Sequence, residues 1–512
     1  MEKKPNIVIL IADHFRADAL SHLGNPASHT PNLDALAQSE AVSFRNAFCQ
    51  NPVCTPSRCS LMSGRYTHVR GHRTMRYELG EDEPCFLRNI KRAGWHVFWG
   101  GKNDFADTTR PGWEEEFADE RDLVLRGDPN RIADRAAAGL VPPGEIETNR
   151  HYYSFYRGVL PAENLDEKGD EVRGGFSATD YRHVRRACEY IESGRYGDSP
   201  FCAYVAIVSP HPPYMVEKKW LDLIDRTKLP GRIADADLSQ LPAILEGLRE
   251  RMRLERLSEE DWDDIRQCYL AMCARVDRWA GMLVDSLKRA GKYEDTVFVF
   301  MSDHGDFAGD YGLVEKTQNT FEDCLTHVPF LIKPAKGTGI VPGIREALVE
   351  NTDFVATMEE LLGMPKSYDN FSRSLVPLLA GEAEHRDAVF CEGGRRRGEY
   401  QASEHENLSP TPDQIYWPRL SLQAFEGEPF YHSKGTMLRT KDFKYVARID
   451  ERDELYDLHA DPGETVNRID DPSLAGELAK LRERMLRFYI ETGDQVPIAD
   501  DEHAFLRSRG AR

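Results

Sequence analysis

The chain has little cysteine, little positive charge and no long apolar run, and each shortage excludes something. Its first apolar run, Ile7 to Ala12 in MEKKPNIVILIADHF, is too short for a signal-peptide core and ends at once in charged residues. Nothing else approaches a membrane span, so no membrane partner is expected. Ten cysteines lie scattered over 512 residues, which fits reduced thiols better than a disulfide framework. Together these features predict a cytoplasmic protein. Lys and Arg number 66 against 86 Asp and Glu, a net charge of -20. Nucleic acid is therefore not an expected partner, because counterion release needs a basic face. Any anionic ligand must be held by a local cluster of cations working against the overall field.

What is present is an ordinary globular mixture, 40% hydrophobic and 30% charged, in a chain long enough for two domains. Five runs rich in β-branched and aromatic residues read as strands: Asn6–Ala12, Trp95–Trp99, Phe201–Val208, Thr296–Met301 and Val328–Ile332. Most are apolar without alternation, as in strands buried on both faces. After Ser258, Trp262, Ile265, Tyr269, Met272, Val276, Trp279, Leu283 and Leu287 recur at helical spacing, behind a Ser-Glu-Glu-Asp start resembling a capping box. Strand alternating with helix predicts a large α/β domain, residues 1–385, with a mostly parallel sheet flanked by helices. Past 385 the texture changes. GGRRRGEY and 401–430 read as loop, then KGTMLRTKDFKYVARID and DELYDLHADPGETVN suggest two antiparallel strands, a turn at Asp461-Pro462-Gly463 and a helix over 474–490. Residues 386–512 are thus predicted to be a small α+β subdomain.

In parallel sheets ligands sit beyond the carboxyl ends of the strands. Here those ends carry Asp13-His14, Gly101-Lys102, Pro210-His211 and Asp303-His304. Two carboxylates with adjacent imidazoles suit a divalent metal, although a single Asp at a strand end can equally cap a helix. Cys54, in NPVCTPSRCSLMSGR, is more open. Cys49, Cys54 and Cys59 are five apart, outside the spacing of zinc ligand pairs. A disulfide is disfavoured by compartment. A thiol nucleophile at a helix start is possible, because Pro56 suits a first turn, and so is an inert buried side chain.

Cys54-Thr55-Pro56-Ser57-Arg58, followed by Ser63-Gly64-Arg65-Tyr66, closely resembles the signature of type I sulfatases in the alkaline phosphatase superfamily. PNIVILIADHFRADALSHLGN, TPNLDALAQSEAVSFRNAFC, FVFMSDHGDFAGDYGLVEK and DELYDLHADPGETVN resemble further family blocks in the expected order. The resemblance implies an alkaline phosphatase-like fold and a sulfuric ester hydrolase. It implies that Cys54 is oxidised to formylglycine by a maturation enzyme, and that the hydrated aldehyde attacks sulfur. It assigns one divalent ion, calcium in most of the family, to Asp13, His14, Asp303, His304 and the modified Cys54. Asp303 additionally accepts a proton from the geminal diol. Arg58 holds the formylglycine hydroxyl or an oxygen of the metal site, while Lys102, His211 and Lys316 bind sulfate oxygens and protonate the departing alcohol.

Two departures qualify the match. His14 stands where many members have a second aspartate, which brings manganese or zinc into view. Lys102-Asn103-Asp104 lacks the tryptophan and histidine that often follow the lysine, leaving His68 or His72, which could face and bind the substrate, as substitutes for the histidine that assists hemiacetal breakdown. Both could instead satisfy loop carbonyls. Arg395, Arg396, Arg397, Trp417 and His432 could line a pocket for an anionic saccharide, or belong to a solvated loop. The expected substrate is a small sulfated molecule, a sugar or glycosaminoglycan-derived saccharide. The alternatives are a phosphonate monoester or phosphodiester hydrolase, and an inactive anion- or glycan-binding homologue.

Overall fold

A computed structural model describes residues 4–75, 77–107, 111–124, 155–160, 175–233, 238–366, 368–399 and 427–495. Its centre is an eight-stranded sheet built from β1 (Asn6–Ala12), β2 (Val42–Phe48), β3 (His96–Lys102), β4 (Glu120–Val124), β6 (Phe201–Ala206), β8 (Thr296–Ser302), β9 (Phe330–Lys333) and β10 (Gly343–Glu350). The order is β10-β2-β9-β8-β1-β6-β3-β4. All pairings are parallel except those of β9, which runs antiparallel to β8 and β2. A short parallel pair, β5 (Tyr156–Leu160) and β7 (Tyr214–Glu217), lies apart.

β1 shows why the run NIVILIA carries no alternation. Val8, Leu10 and Ala12 enter one core and Ile7, Ile9 and Ile11 another, all fully buried. Burying such a side chain on either face contributes about 1.5–3 kcal/mol, so both faces select apolar residues. The first core receives the long helix Glu259–Arg289, started by the predicted capping box between Ser258 and Asp261. The second receives helix α1 (Cys54–Ser63) through Cys59, Leu61 and Met62.

A four-stranded antiparallel sheet lies wholly past residue 385: β11 (Val389–Gly393), β12 (Gly435–Arg439), β13 (Phe443–Arg448) and β14 (Glu454–Asp457), in that order. KGTMLRTKDFKYVARID, expected as one strand, folds back on itself into β12 and β13. Helix α2 (Ala475–Thr492) packs Leu478, Leu481, Met485 and Phe488 into the core of this sheet. Much of the expected loop 401–430, Trp417 included, lies outside the described residues. Among the described residues, no helix is long and apolar enough to cross a membrane.

Register brings the strand ends level. Ile11 pairs with Met301 on one side and Ala206 on the other, and Ala206 pairs with Gly101. Gly101 has φ +100°, and a Cβ there would lie 1.9 Å from the Ala206 carbonyl oxygen, so only glycine lets β3 deliver Lys102 at this level.

Candidate active site

Asp13, His14, Cys54 and His304 each offer one ligand atom, and these four atoms lie within 4.8 Å of one another, all buried. The first two leave β1, the last leaves β8, and Cys54 opens α1. Val53 before it is extended (φ -134°, ψ 146°), and Ser57 N–H donates to the Val53 carbonyl at 3.1 Å. Pro56 sits in the first turn, where its missing N–H costs no helical bond. The helix start thus presents its positive end to the cluster.

The Cys54 thiol lies 3.5 Å from Asp13 Oδ1 and 3.2 Å from His304 Nε2. Burial, then the Asp13 charge, pushes the thiol well above its ordinary pKa. A buried, protonated thiol is a poor nucleophile, which counts against that reading of Cys54. Cys49 and Cys59 are not in the four-residue group, and all ten cysteines are free and buried.

Cations surround the acids. Lys102 Nζ lies 2.6 Å from Asp13 Oδ2 and 2.7 Å from Asp104 Oδ2. Burial works to raise the Asp13 pKa, but Lys102, His211, His304 and Arg58 outweigh it and hold the carboxylate far below its usual range. Arg58 Nε donates to Asp303 Oδ2 at 2.8 Å. Its two Nη atoms are buried with no hydrogen-bond partner among the described residues, and Nη2 lies 3.9 Å from Asp13 Oδ2. Asp303 stands outside the four-residue group: Arg58 occupies Oδ2, and the backbone N–H of His304 donates to Oδ1 at 2.9 Å.

The imidazoles are oriented. His304 Nδ1 donates to the Gly305 carbonyl at 2.9 Å, leaving Nε2 as an acceptor facing Cys54. His211 Nδ1 donates to the Pro212 carbonyl at 2.6 Å. His14, held at φ +69°, has Nδ1 2.5 Å from Asp306 Oδ2 and Nε2 2.7 Å from Lys316 Nζ. Lys316 also lies 3.3 Å from His211 Nε2. The structure therefore brings together Asp13, His14, Cys54, Arg58, Lys102, His211, Asp303, His304 and Lys316.

His68 and His72 are used otherwise. His68 bonds Glu392 at 2.8 Å and the Thr492 carbonyl at 3.1 Å; His72 bonds the Tyr77 carbonyl at 2.7 Å and Glu83 at 3.0 Å. Both nitrogens of each ring are thus engaged within the protein, those of His68 by β11 and the end of α2 and those of His72 by a loop. Arg395 is buried; its Nη1 donates to the Glu399 carbonyl at 3.0 Å and its guanidinium lies over the Phe430 ring. Its backbone N–H donates to the His432 carbonyl at 2.9 Å, and the neighbouring Gly394 N–H donates to Gln318, two residues past Lys316. Sequence reading missed Asp306 and Asp104. Asp306 stands in the same DHGD run as Asp303, and Asp104 takes Lys102, so acids two or three residues past a strand-end residue were the available signal.

The sulfatase family model matches residues 5–364. The chain belongs to the sulfatase family. This sulfatase is 28% identical over 481 residues to a choline-sulfatase of Rhizobium meliloti, covering 92% of the chain and 83% of that protein. It is 23% identical to an N-acetylglucosamine-6-O-sulfatase of Bacteroides thetaiotaomicron, covering 100% and 90%. In fold it is similar to a phosphonate monoester hydrolase of Agrobacterium radiobacter, with TM-score 0.71, 23% identity and 96% of each chain covered. The alkaline phosphatase-like α/β fold and the sulfatase class expected from sequence are thus both found.

Proposed function

We propose that this enzyme hydrolyses the sulfate ester of a small sulfated saccharide, using an oxygen nucleophile made from Cys54 by oxidation to formylglycine. The observation that carries the reading is the meeting of Cys54, at a helix start, with two oriented imidazoles, Asp13 and three cations. The residues fit a divalent ion: one carboxylate, two imidazoles and the Cys54 position converge in a buried site, a donor set that favours manganese or zinc over calcium. A bound ion would supply Lewis-acid neutralisation of the transferred group's oxygens. Asp13, whose two carboxylate oxygens lie 3.5 and 3.6 Å from Cys54 Sγ, is placed to take a hydroxyl proton there, and Asp303 keeps Arg58 in place. Arg58 Nη, Lys102 and Lys316 offer donors to sulfate oxygens, and Lys316, held by His211 Nε2 at 3.3 Å, offers one to the leaving alcohol.

A maturation enzyme is a required partner on this reading, and ten free cysteines support a reducing, cytoplasmic compartment. Saccharide substrates draw support from the N-acetylglucosamine-6-O-sulfatase relative and from a similar fold solved with D-glucosamine-2-N,6-O-disulfate. A phosphonate monoester or phosphodiester hydrolase is the second reading, favoured by neutral His14 and by the phosphonate monoester hydrolase neighbours.

Turnover of an aryl sulfate against an aryl phosphonate on one preparation decides between the two; a large phosphonate excess overturns the first. Peptide mapping over 46–65 tests the modification. Only unmodified thiol at Cys54, from a host with the maturation machinery, would point to a binding homologue.

A further inference from the structure

Two arginines share one carboxylate in the segment that follows β11, and a lysine lies near them. Arg73 Nη2 donates to Glu399 Oε1 at 2.8 Å, and Arg396 donates to the same carboxylate through Nε at 2.9 Å and its backbone N–H at 3.0 Å. The lysine is Lys434. Its half-buried ammonium has no hydrogen-bond or ion-pair partner among the described residues, yet it lies within electrostatic range of Arg73, Arg396, Glu399 and Glu392. Glu392 is already committed to His68, Thr67 and Tyr489.

Two connections tie this group to the catalytic centre. Arg73 precedes by two residues Met75, which packs with Val53 and Cys54. Arg395 and Lys434 are joined by a hydrogen bond from Lys434 N–H to the Arg395 carbonyl at 3.1 Å, and Gly394 is bonded to Gln318 beyond Lys316. In a protein of net charge -20, a local excess of cations linked to the Cys54 segment through Met75 suits an anion. Glu399 marks where one sits, held down to about 2 against its burial by Arg73 and Arg396. Burial and the two arginines push the Lys434 ammonium below its usual range, with Glu392 opposing.

We propose that Arg73, Arg396 and Lys434 form a second anion subsite, taking a carboxylate or a second sulfate on the same substrate molecule whose ester is cleaved. Its ligand class rests on the sulfate-ester reading. The substrate then carries two anionic groups: one over Cys54, the other beside or in place of Glu399.

The test measures binding by calorimetry to the Cys54→Ala protein, so that no turnover is needed. The probes are glucosamine 2-N,6-O-disulfate, a sulfated hexuronic acid and 4-nitrophenyl sulfate. Arg396→Ala and Lys434→Met should weaken the two dianionic probes by roughly 10- to 100-fold, the loss of a charged hydrogen bond. Nitrophenyl sulfate should change by less than about threefold. Stronger loss with the disulfate or with the uronic acid tells which anion the subsite takes. Equal loss for all three probes, or no loss, overturns the subsite. Arg396 is exposed, so its variant remains informative if Lys434→Met does not fold. Failure of the parent enzyme to cleave any sulfate ester, with cleavage of an aryl phosphonate, overturns the sulfate-ester reading instead; the binding contrast still decides the subsite.

Discussion

His14 Nδ1 lies 2.5 Å from Asp306 Oδ2, with both side chains fully buried. Asp306 is itself fixed by Tyr214 Oη at 2.5 Å and the Ala308 N–H at 2.8 Å, both donating to Oδ1. The other ring nitrogen, Nε2, faces the Lys316 ammonium, which can only donate. Nδ1 therefore carries the proton, and the single Nε2 lone pair accepts from Lys316, which must give it up to an ion held at the cluster. Carboxylates behind ligating imidazoles typically account for about 10- to 100-fold in metal affinity. Asp306→Asn should lower divalent-ion affinity by about that factor, and Tyr214→Phe by less. Metal content after dialysis against a graded competitor measures it; unchanged retention in Asp306→Asn would show that the dyad does not orient a ligand.

Arg58 and Asp303 form a second buried pair, Nε to Oδ2 at 2.8 Å, neither side chain exposed. Removing one partner from such a pair leaves an uncompensated charge and costs about 3–5 kcal/mol. Arg58→Ala should destabilise by about that amount and lower kcat/KM by about 100-fold or more through lost anion stabilisation. Arg58→Lys should recover stability in part but not activity, because an ammonium cannot reach Asp303 and the site with separate planar donors. Urea unfolding and steady-state kinetics on both variants separate the two losses.

The parts legible in sequence were those with one local cause. β1 and β8 declared themselves because burial on both faces removes alternation, and Asp13 and Asp303 followed because a strand end exposes its next residue to the crevice. β2 was not read as a strand: VSFRNAF carries Arg45 and Asn46, whose side chains reach Glu346 across the sheet, a nonlocal partner no spacing shows. β9 was found, but its reversed direction depends on sheet order rather than on FLIK itself. His68 and His72 looked like site residues because they follow the Cys54 helix, whereas their partners Glu392 and Thr492 lie more than 300 residues away and Glu83 is set by the local loop. The Arg73–Glu399 contact was invisible for the same reason.

Acid should weaken the fold through Asp353. Its carboxylate accepts Nε and Nη2 of Arg386, His385 Nε2 at 3.1 Å, and the backbone N–H groups of Arg373 and Glu350. Burial alone would raise its pKa, but Arg386 and His385 hold it far below the ordinary value near 3.8. A depressed folded pKa means the stabilisation is present above the unfolded value and is lost as pH falls below about 4 toward the folded one. Asp353→Asn should cost about 3 kcal/mol at neutral pH and flatten the acid limb of stability against pH. Denaturant midpoints between neutral pH and pH 3 check it; an unchanged acid limb would place the loss elsewhere.

The identity of the bound ion should turn on His14. Hard, oxygen-seeking calcium gains from anionic ligands, whereas manganese and zinc accept imidazole readily. His14 and His304 put two neutral nitrogens into a four-atom group otherwise holding only Asp13 and the Cys54 position. Chelation followed by dialysis should therefore abolish sulfate-ester hydrolysis, with manganese or zinc restoring it at lower concentration than calcium. His14→Asp adds one negative charge and removes one imidazole, so it should shift retention toward calcium while lowering zinc retention by about tenfold or more. The exchange also withdraws the acceptor that meets Lys316 and replaces it with a charge partner. Competition between the ions, read as metal content of the folded protein, tests the preference apart from turnover; calcium retained preferentially by the parent would overturn it.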